Sequence, residues 1–251
     1  MSAPATAPRP PDGLAAASPL PARSSPAGGL VAAPLPADLL YGRLLATAAQ
    51  HVLGGGPPAR ARIRSADGTV EPLALDRWVG VADAVDVRAL TQAQAPVLDI
   101  GCGPGRHLAA LRAAGKLALG VDLSPVAVRL ARRRGATAIP GDVFGAVPWV
   151  GRWRTALLLD GNVGIGGAPV ALLRRTRELL APGGAALVEL DSPGRPTVRT
   201  RIRIESHGLV SEWFRWARVS VDGIEPLAAR AGLSVEDLVC AGGRWLARLR
   251  R

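Results

Sequence analysis

From about residue 82 onward, short apolar runs alternate with stretches of helical periodicity, and this alternation limits the possible folds more than any other feature of the chain. The runs are Val97 to Ile100, Leu117 to Val121, Ala136 to Ile139, Thr155 to Leu159 and Ala185 to Leu190. Helical candidates occupy 105–114, 125–134 and 169–180. Uninterrupted apolar runs of this length suit strands buried on both faces, and helices between them suit a parallel sheet covered on both sides. The second helix has Ser124 to cap it, Pro125 at its first position and Gly135 just beyond its end, so its limits are written in local chemistry. An α/β, doubly wound, mostly parallel sheet is the expectation.

The regions outside this alternation read differently. Residues 1–36 hold nine of the chain's 22 prolines and almost no periodic apolar residues, a composition that predicts a disordered Pro/Ala-rich tail. Ala37 to Leu53 gathers Leu39, Leu40, Leu44, Leu45 and Val52 at helical spacing before Gly54-Gly55-Gly56-Pro57-Pro58 stops it. Ala61 to Arg64 and Thr69 to Leu73 flank Asp67-Gly68, the signature of a tight hairpin. An accessory segment over 37–81, ahead of a main domain over 82–251, follows. After Asp191, Val198, Thr200, Ile202 and Ile204 alternate with Arg199, Arg201, Arg203 and Glu205, and His207-Gly208 turns this strand back into Leu209 to Ala217. A helix over 223–231 and strands over 233–240 and 244–250, joined at Gly242-Gly243, complete the expected order.

The richest segment is Val97-Leu98-Asp99-Ile100-Gly101-Cys102-Gly103-Pro104-Gly105, a buried strand running into a glycine turn and a helix. Glycines at 101, 103 and 105 let the backbone turn tightly and let a ligand approach it. A dinucleotide fingerprint would place its third glycine at 106, where Arg106 stands, which weakens a nicotinamide oxidoreductase reading. Asp99, two residues before the first glycine, suits a ligand with a cationic amino group better than a pyrophosphate.

This segment resembles motif I of the class I S-adenosylmethionine-dependent methyltransferases, and the resemblance continues at four further places over roughly residues 82–191. It implies a Rossmann-like, seven-stranded sheet with S-adenosylmethionine bound by Asp99, Gly101, Cys102, Gly103 and Gly105. In Gly120-Val121-Asp122-Leu123-Ser124-Pro125, Asp122 matches the family's acceptor for the ribose hydroxyls, with Leu123 beside it. Gly141-Asp142-Val143 resembles the adenine site, Asp142 facing the exocyclic amine and the Val143 backbone the ring. Leu158-Leu159-Asp160-Gly161-Asn162 resembles the segment lining the methionine end and the transfer site, which brings in Asp160 and Asn162. Leu180-Ala181-Pro182-Gly183-Gly184 matches the turn into the fifth strand. Other readings stay open for single residues: Asp122 as an acid at a helix N-terminus, Asp142 as a turn residue, and Asn162 as a turn former among Gly161, Gly164, Gly166 and Gly167.

The implied function is direct, in-line transfer of a methyl group to a small-molecule acceptor. The alternatives are an RNA or protein methyltransferase, or a silent module that binds the cofactor without turnover. No base is assigned: His107 reads as a capping or surface imidazole or as a catalytic one, and His51 and His207 as a helix-end and a turn residue. Arginines on the helices after the second and fourth strands would lie on opposite faces of the sheet, which disfavours a continuous phosphate track and a nucleic-acid partner. Arg199, Arg201 and Arg203 read either as the wet face of a hairpin or as an anion site. Trp213, Phe214 and Trp216 read either as core or as walls for an acceptor.

Composition excludes several other classes. The chain is 48% hydrophobic and 20% charged over 251 residues, enough for one globular core. No apolar run is long enough to span a membrane, and the N-terminus lacks the basic and apolar stretches of a secretory signal, so a cytoplasmic protein is expected. Two cysteines, Cys102 and Cys240, support neither a disulfide framework nor a metal site. Of the 31 basic residues only Lys116 is lysine, a skew that GC-rich coding also produces, so the net charge of +11 matters chiefly through where it lands.

Overall fold

The computed structural model describes residue 1, residues 33–54 and residues 58–251. The expected tail and the Gly-Pro stop therefore lie largely outside the described residues. Where the tail's span re-enters them, Leu35 bridges Ser211 and donates its N–H to the Val210 carbonyl at 2.9 Å.

In chain order the elements are α1 (Ala37–Val52), β1 (Arg62–Ser65), β2 (Val70–Pro72), α2 (Leu75–Val79), α3 (Ala84–Thr91), β3 (Val97–Ile100), α4 (Arg106–Ala113), β4 (Ala118–Asp122), α5 (Pro125–Arg133), β5 (Ala138–Pro140) and β6 (Trp153–Leu158). A 3₁₀ segment, Asn162–Gly167, leads into α6 (Pro169–Leu179), β7 (Leu180–Leu190), β8 (Val198–Ser206), β9 (Leu209–Val210), β10 (Phe214–Arg218), α7 (Val221–Ala231), β11 (Ser234–Ala241) and β12 (Arg244–Arg250).

Seven strands form the main sheet in the order β11-β12-β7-β6-β3-β4-β5. The five from β3 to β7 are mutually parallel, and β12 and β11 add antiparallel at one edge. This is the mostly parallel, helix-covered sheet that the alternation predicts, in the seven-stranded, doubly wound, Rossmann-like form that the resemblance implies. Its centre is uniformly apolar: all four residues of β3 are buried, and Leu98, Leu157, Leu158 and Val188 are fully so, as strands covered on both faces must be. Trp153 is fully buried and donates its indole N–H to the Pro148 carbonyl at 2.9 Å, which satisfies its one polar atom.

The second sheet differs from the two separate hairpins read in the sequence. Strand β1 pairs antiparallel with β8, which joins the accessory segment to the later strands in the order β10-β8-β1-β2, with β9 also on β8. The strand expected over 209–217 is broken into β9 and β10. At the break, the Ser211 hydroxyl accepts the Ile204 N–H at 2.9 Å and the Ser211 N–H donates to the Ile204 carbonyl, which consumes the ladder positions a continuous strand would use. Ile204 on the inner face packs with Leu40, Leu44, Leu45 and Ala48 of α1, Leu75 and Val79 of α2, and Ala127 of α5. Helix α1 is thus held between the second sheet and α5.

Two helices were not expected, α2 and α3. The α3 N-terminus carries a reciprocal capping box: Asp83 accepts the Asp86 N–H at 2.8 Å and Asp86 accepts the Asp83 N–H at 3.0 Å.

The two sheets meet at the 3₁₀ segment, which packs along β10. A Cβ on Gly164 would strike the Ala217 carbonyl oxygen and lie 2.6 Å from Trp216 Nε1, so only glycine permits this approach. Gly164→Ala is expected to destabilise the protein by about 1–3 kcal/mol, read as a lowered thermal midpoint. An unchanged midpoint would show that the contact gives way freely.

Candidate functional site

The order of the main sheet reverses between β3 and β6, and open parallel sheets form ligand crevices at the carboxyl ends of strands that flank such a reversal. There β3 enters the glycine turn. Gly105, at φ 81°, caps α4, and a Cβ on it would lie 2.7 Å from the Ala131 methyl of α5. The turn is tied to β4 by the N–H groups of Gly101 and Cys102, which donate to the Val121 carbonyl at 2.8 and 3.1 Å.

The decisive contact is side chain to backbone. Asp122 Oδ2 accepts the Gly103 N–H at 2.8 Å, and Oδ1 accepts the Ser124 N–H at 2.8 Å. Glycine turn and carboxylate are therefore in direct contact. Burial raises the Asp122 carboxyl above its ordinary range, with the two N–H donors opposing that shift. Gly141 donates to the Asp122 carbonyl at 3.0 Å, bringing the 141–143 turn alongside. In that turn the exposed Asp142 accepts the Phe144 N–H at 3.0 Å through Oδ1, so it does act on its own turn, while Val143 is buried. Leu123 and Phe144 are exposed apolar residues at this end.

Asp99 and Asp160 belong to a different environment, a cluster of buried charges beneath the turn. Arg106 is 3% exposed. It donates to Asp160 Oδ2 at 2.6 Å and also to Asp86 Oδ2. Asp86, fully buried, further accepts Arg244 Nη1 at 2.7 Å, and Arg244 grips both Glu189 oxygens at 2.7 and 2.6 Å. Glu189 in turn accepts the Asp160 N–H at 2.8 Å, holding Asp160 at the left-handed φ of 55°. Burial opposes ionisation of Asp86 and Glu189, yet the nearby His107 imidazole and the bonds from Arg244 and the Asp83 N–H to Asp86, and from Arg244 to Glu189, keep both carboxyls below their ordinary range. Arg77 stands at the rim with Asp86 and Asp160 each 3.5 Å away.

His107 is neither a surface nor a capping imidazole: it is 5% exposed, with Nε2 3.5 Å from Asp86 and Nδ1 3.8 Å from Asp99. Asp99 is 1% exposed, and its Oδ2 has no hydrogen-bond partner. Asn162 is more than a turn former, since its amide donates to the carbonyls of Ile100 at 2.8 Å and Gly101 at 3.0 Å, pinning the glycine turn to the loop after β6. Tyr41, the single tyrosine of the chain, escaped sequence reasoning altogether. Its hydroxyl lies 3.2 Å from where a Gly103 Cβ would be, so α1 reaches over the turn. Its ring packs edge-on to Trp78, with centroids 6.0 Å apart. Nothing local marks Tyr41, whose role depends on how α1 docks. Among the described residues no group of His, Cys, Asp and Glu could hold a metal ion, and no helix is long and apolar enough to cross a membrane.

Burial pushes the Asp99 carboxyl up to about 6, His107 opposing and Asp160 adding to the rise. A carboxyl that binds its proton more tightly folded than unfolded stabilises the fold at low pH, and that contribution is lost as the pH climbs from about 4 through 6. The full loss is on the order of 3 kcal/mol. Asp99→Asn is expected to gain stability relative to the native protein between pH 4.5 and 7.5, measured by urea denaturation. A difference independent of pH would overturn the assignment.

With this geometry in view, comparisons with known proteins agree on the fold. A family model described as a methyltransferase domain matches residues 97–184. Uncharacterised proteins of Mycobacterium tuberculosis and Mycobacterium bovis are 37% identical over 101 residues, 40% of this chain. The match spans about a third of those curated relatives, 34% of their length. The crystal structure of a methyltransferase from Bacteroides fragilis, in complex with S-adenosyl-L-homocysteine, superposes with a TM-score of 0.70 at 24% identity, over 86% of this chain and 96% of that one. The CcbJ methyltransferase of Streptomyces caelestis gives 0.53 at 17% identity, over 69% and 91%. An amino pentose methyltransferase from Micromonospora echinaspora gives 0.50 at 22%, over 66% and 88%. Residues 97–184 thus match a methyltransferase-domain model, and the chain shares its fold with solved S-adenosylmethionine-dependent methyltransferases.

Proposed function

We propose that the protein binds S-adenosylmethionine across the tips of β3 and β4 and transfers its methyl group to a small-molecule acceptor. The observation that supports this reading is the bond from the Gly103 N–H to Asp122, which sets bare backbone and a carboxylate side by side. Each Asp122 oxygen accepts a single N–H. A carboxylate oxygen can accept a second donor, so a pair of ribose hydroxyls fits. Leu123 and Val143 offer apolar flanks for a purine, and Asp142 keeps a free oxygen for an exocyclic amine. The bound cofactor supplies an activated methyl on a sulfonium, so no covalent intermediate on the protein is needed.

What remains for the chain is positioning. Asn162 fixes the glycine turn relative to the loop after β6, and Asp160 fixes that loop relative to α4 through Arg106. In this reading Asp99, Asp160 and Asn162 act mainly by setting where the methionine end of the cofactor lies. Tyr41 and Trp78 close the opposite side and shield it from water. The aromatics divide by face: Phe214 packs against the same buried cluster around α1 as Tyr41 and Trp78, which would place it toward the acceptor, whereas the Arg203 guanidinium lies over the Trp213 ring. A small acceptor is supported by the structural neighbour that methylates an amino pentose.

Calorimetry with S-adenosylmethionine and S-adenosylhomocysteine tests this, and both are expected to bind. Asp122→Ala should weaken both by tenfold or more, since a hydrogen bond to a charged group contributes about 1.5–3 kcal/mol. Failure of the intact protein to bind either compound would overturn the proposal.

A further inference from the structure

The alternation of β8 gives the second sheet an outer face unlike the inner one. Ile202 and Ile204 turn inward and are buried, while Arg199, Arg201 and Arg203 turn outward. Register adds to them: Arg62 pairs with Glu205, Arg64 with Arg203, and Arg215 with Arg201. Six guanidiniums from three strands therefore share one face with a single carboxylate. Like charges directly opposite across strands are destabilising, and whereas Glu205 bridges Arg64 and Arg203, folding alone does not favour Arg201 opposite Arg215.

Glu205 organises one end of this face. It is buried and accepts Arg62 Nε at 2.8 Å, Arg64 Nε at 2.7 Å, and Arg203 Nε and Nη2 at 2.9 and 2.7 Å. One anion neutralises one of three cations, and the outer nitrogens of all three guanidiniums are left for another acceptor. They line an open groove of about 600 Å³ that also includes Arg60 and His207. At the other end, no carboxylate pairs with Arg199, Arg201 or Arg215 among the described residues. The ring of Trp213 lies 5.0 Å from the Arg203 guanidinium.

We propose that this outer face binds single-stranded nucleic acid, the guanidiniums meeting successive phosphates and Trp213 offering a stacking surface. Arginines along β8 recur every second residue, about 6.6–6.8 Å apart, and the strand from Arg199 to Glu205 spans about 20 Å. A lone phosphate meets one or two guanidiniums, whereas a polymer of phosphates meets the whole track. Arginine forks match phosphate oxygens in pairs, and aromatic surfaces beside basic grooves serve single strands of any sequence. The chain's own first 32 residues do not fit as the occupant, because they carry Arg9 and Arg23 against Asp12. A second copy would oppose like charge to like. The helix arginines that argued against a phosphate track are not those used here, since this face arises only when β1 and β10 flank β8.

The face lies across the second sheet from α1 and the glycine turn, so the proposal does not depend on the cofactor reading. The test is fluorescence anisotropy with a labelled 15-nucleotide oligouridylate at 50 mM salt and above. The native chain is expected to bind with an affinity that falls steeply with salt. Arg199→Gln, Arg201→Gln and Arg215→Gln combined should weaken binding more than tenfold and reduce the log–log salt slope by about 2, from about 0.7 per phosphate contact. That variant removes no ion pair and should keep its thermal midpoint and its response to S-adenosylmethionine. A control with the same charge change on exposed helix residues, Arg88→Gln, Arg129→Gln and Arg133→Gln, should retain most of the binding. Equal loss in the two variants, equal competition by poly-glutamate, or no binding by the native chain would each overturn the proposal.

Discussion

The burial of Arg106 dictates much of the site's architecture. A guanidinium taken out of water costs several kcal/mol unless it is paired with good geometry, and Arg106 has almost no solvent contact. Its partners come from elements far apart in sequence, Asp86 20 residues before it and Asp160 54 residues after it. Those carboxylates must be satisfied in turn, which brings in Arg244 from β12 and, through it, Glu189 from β7. One buried cation at the start of α4 thus connects α3, the loop after β6, and the antiparallel edge of the sheet.

This network reaches the site through the backbone. A non-glycine residue at positive φ costs free energy and persists only when its surroundings enforce it. Asp160 is enforced twice, by Glu189 on its N–H and Arg106 on its carboxylate. With Asp160 fixed, Gly161 turns the chain so that Asn162 meets the carbonyls of Ile100 and Gly101. The tips of β3 and β6 are held together by these bonds, and the tips of β3 and β4 by Gly103 and Asp122. Three neighbouring strand ends are therefore set relative to one another by side chains, which gives this end of the sheet the rigidity that a precise ligand site needs.

The sequence exposes some of this and hides the rest for physical reasons. The parallel strands and the limits of α5 are legible because apolar runs, Ser124, Pro125 and Gly135 act locally. The glycine turn and Asp122 are legible because their spacing follows from one strand, one helix and the next strand. Helices α2 and α3 are not, being only 5 and 8 residues long. The α3 capping box also has aspartate at its third position, where the usual signature has glutamate or glutamine. Arg106 is visible as a missing glycine but not as the centre of an ion network, because its partners are chosen by tertiary packing. Likewise the β8 arginines alternate plainly, while the addition of Arg62 and Arg64 depends on a pairing between strands separated by more than a hundred residues.

Strand β8 joins these themes, because its two faces meet unrelated demands through a period of two. The inward isoleucines hold α1 against α5, and α1 carries Tyr41 over the glycine turn. The outward arginines contribute nothing to that packing and face water across the thickness of the sheet. A one-residue slip of β8 would exchange the faces, sending guanidiniums into the apolar cluster and isoleucines into solvent. The Arg62 and Arg64 bonds to Glu205 oppose such a slip from the polar side, as Ile63 opposite Ile204 does from the apolar side. The charged face and the placement of α1 over the site are therefore fixed by one register, although they share no contact.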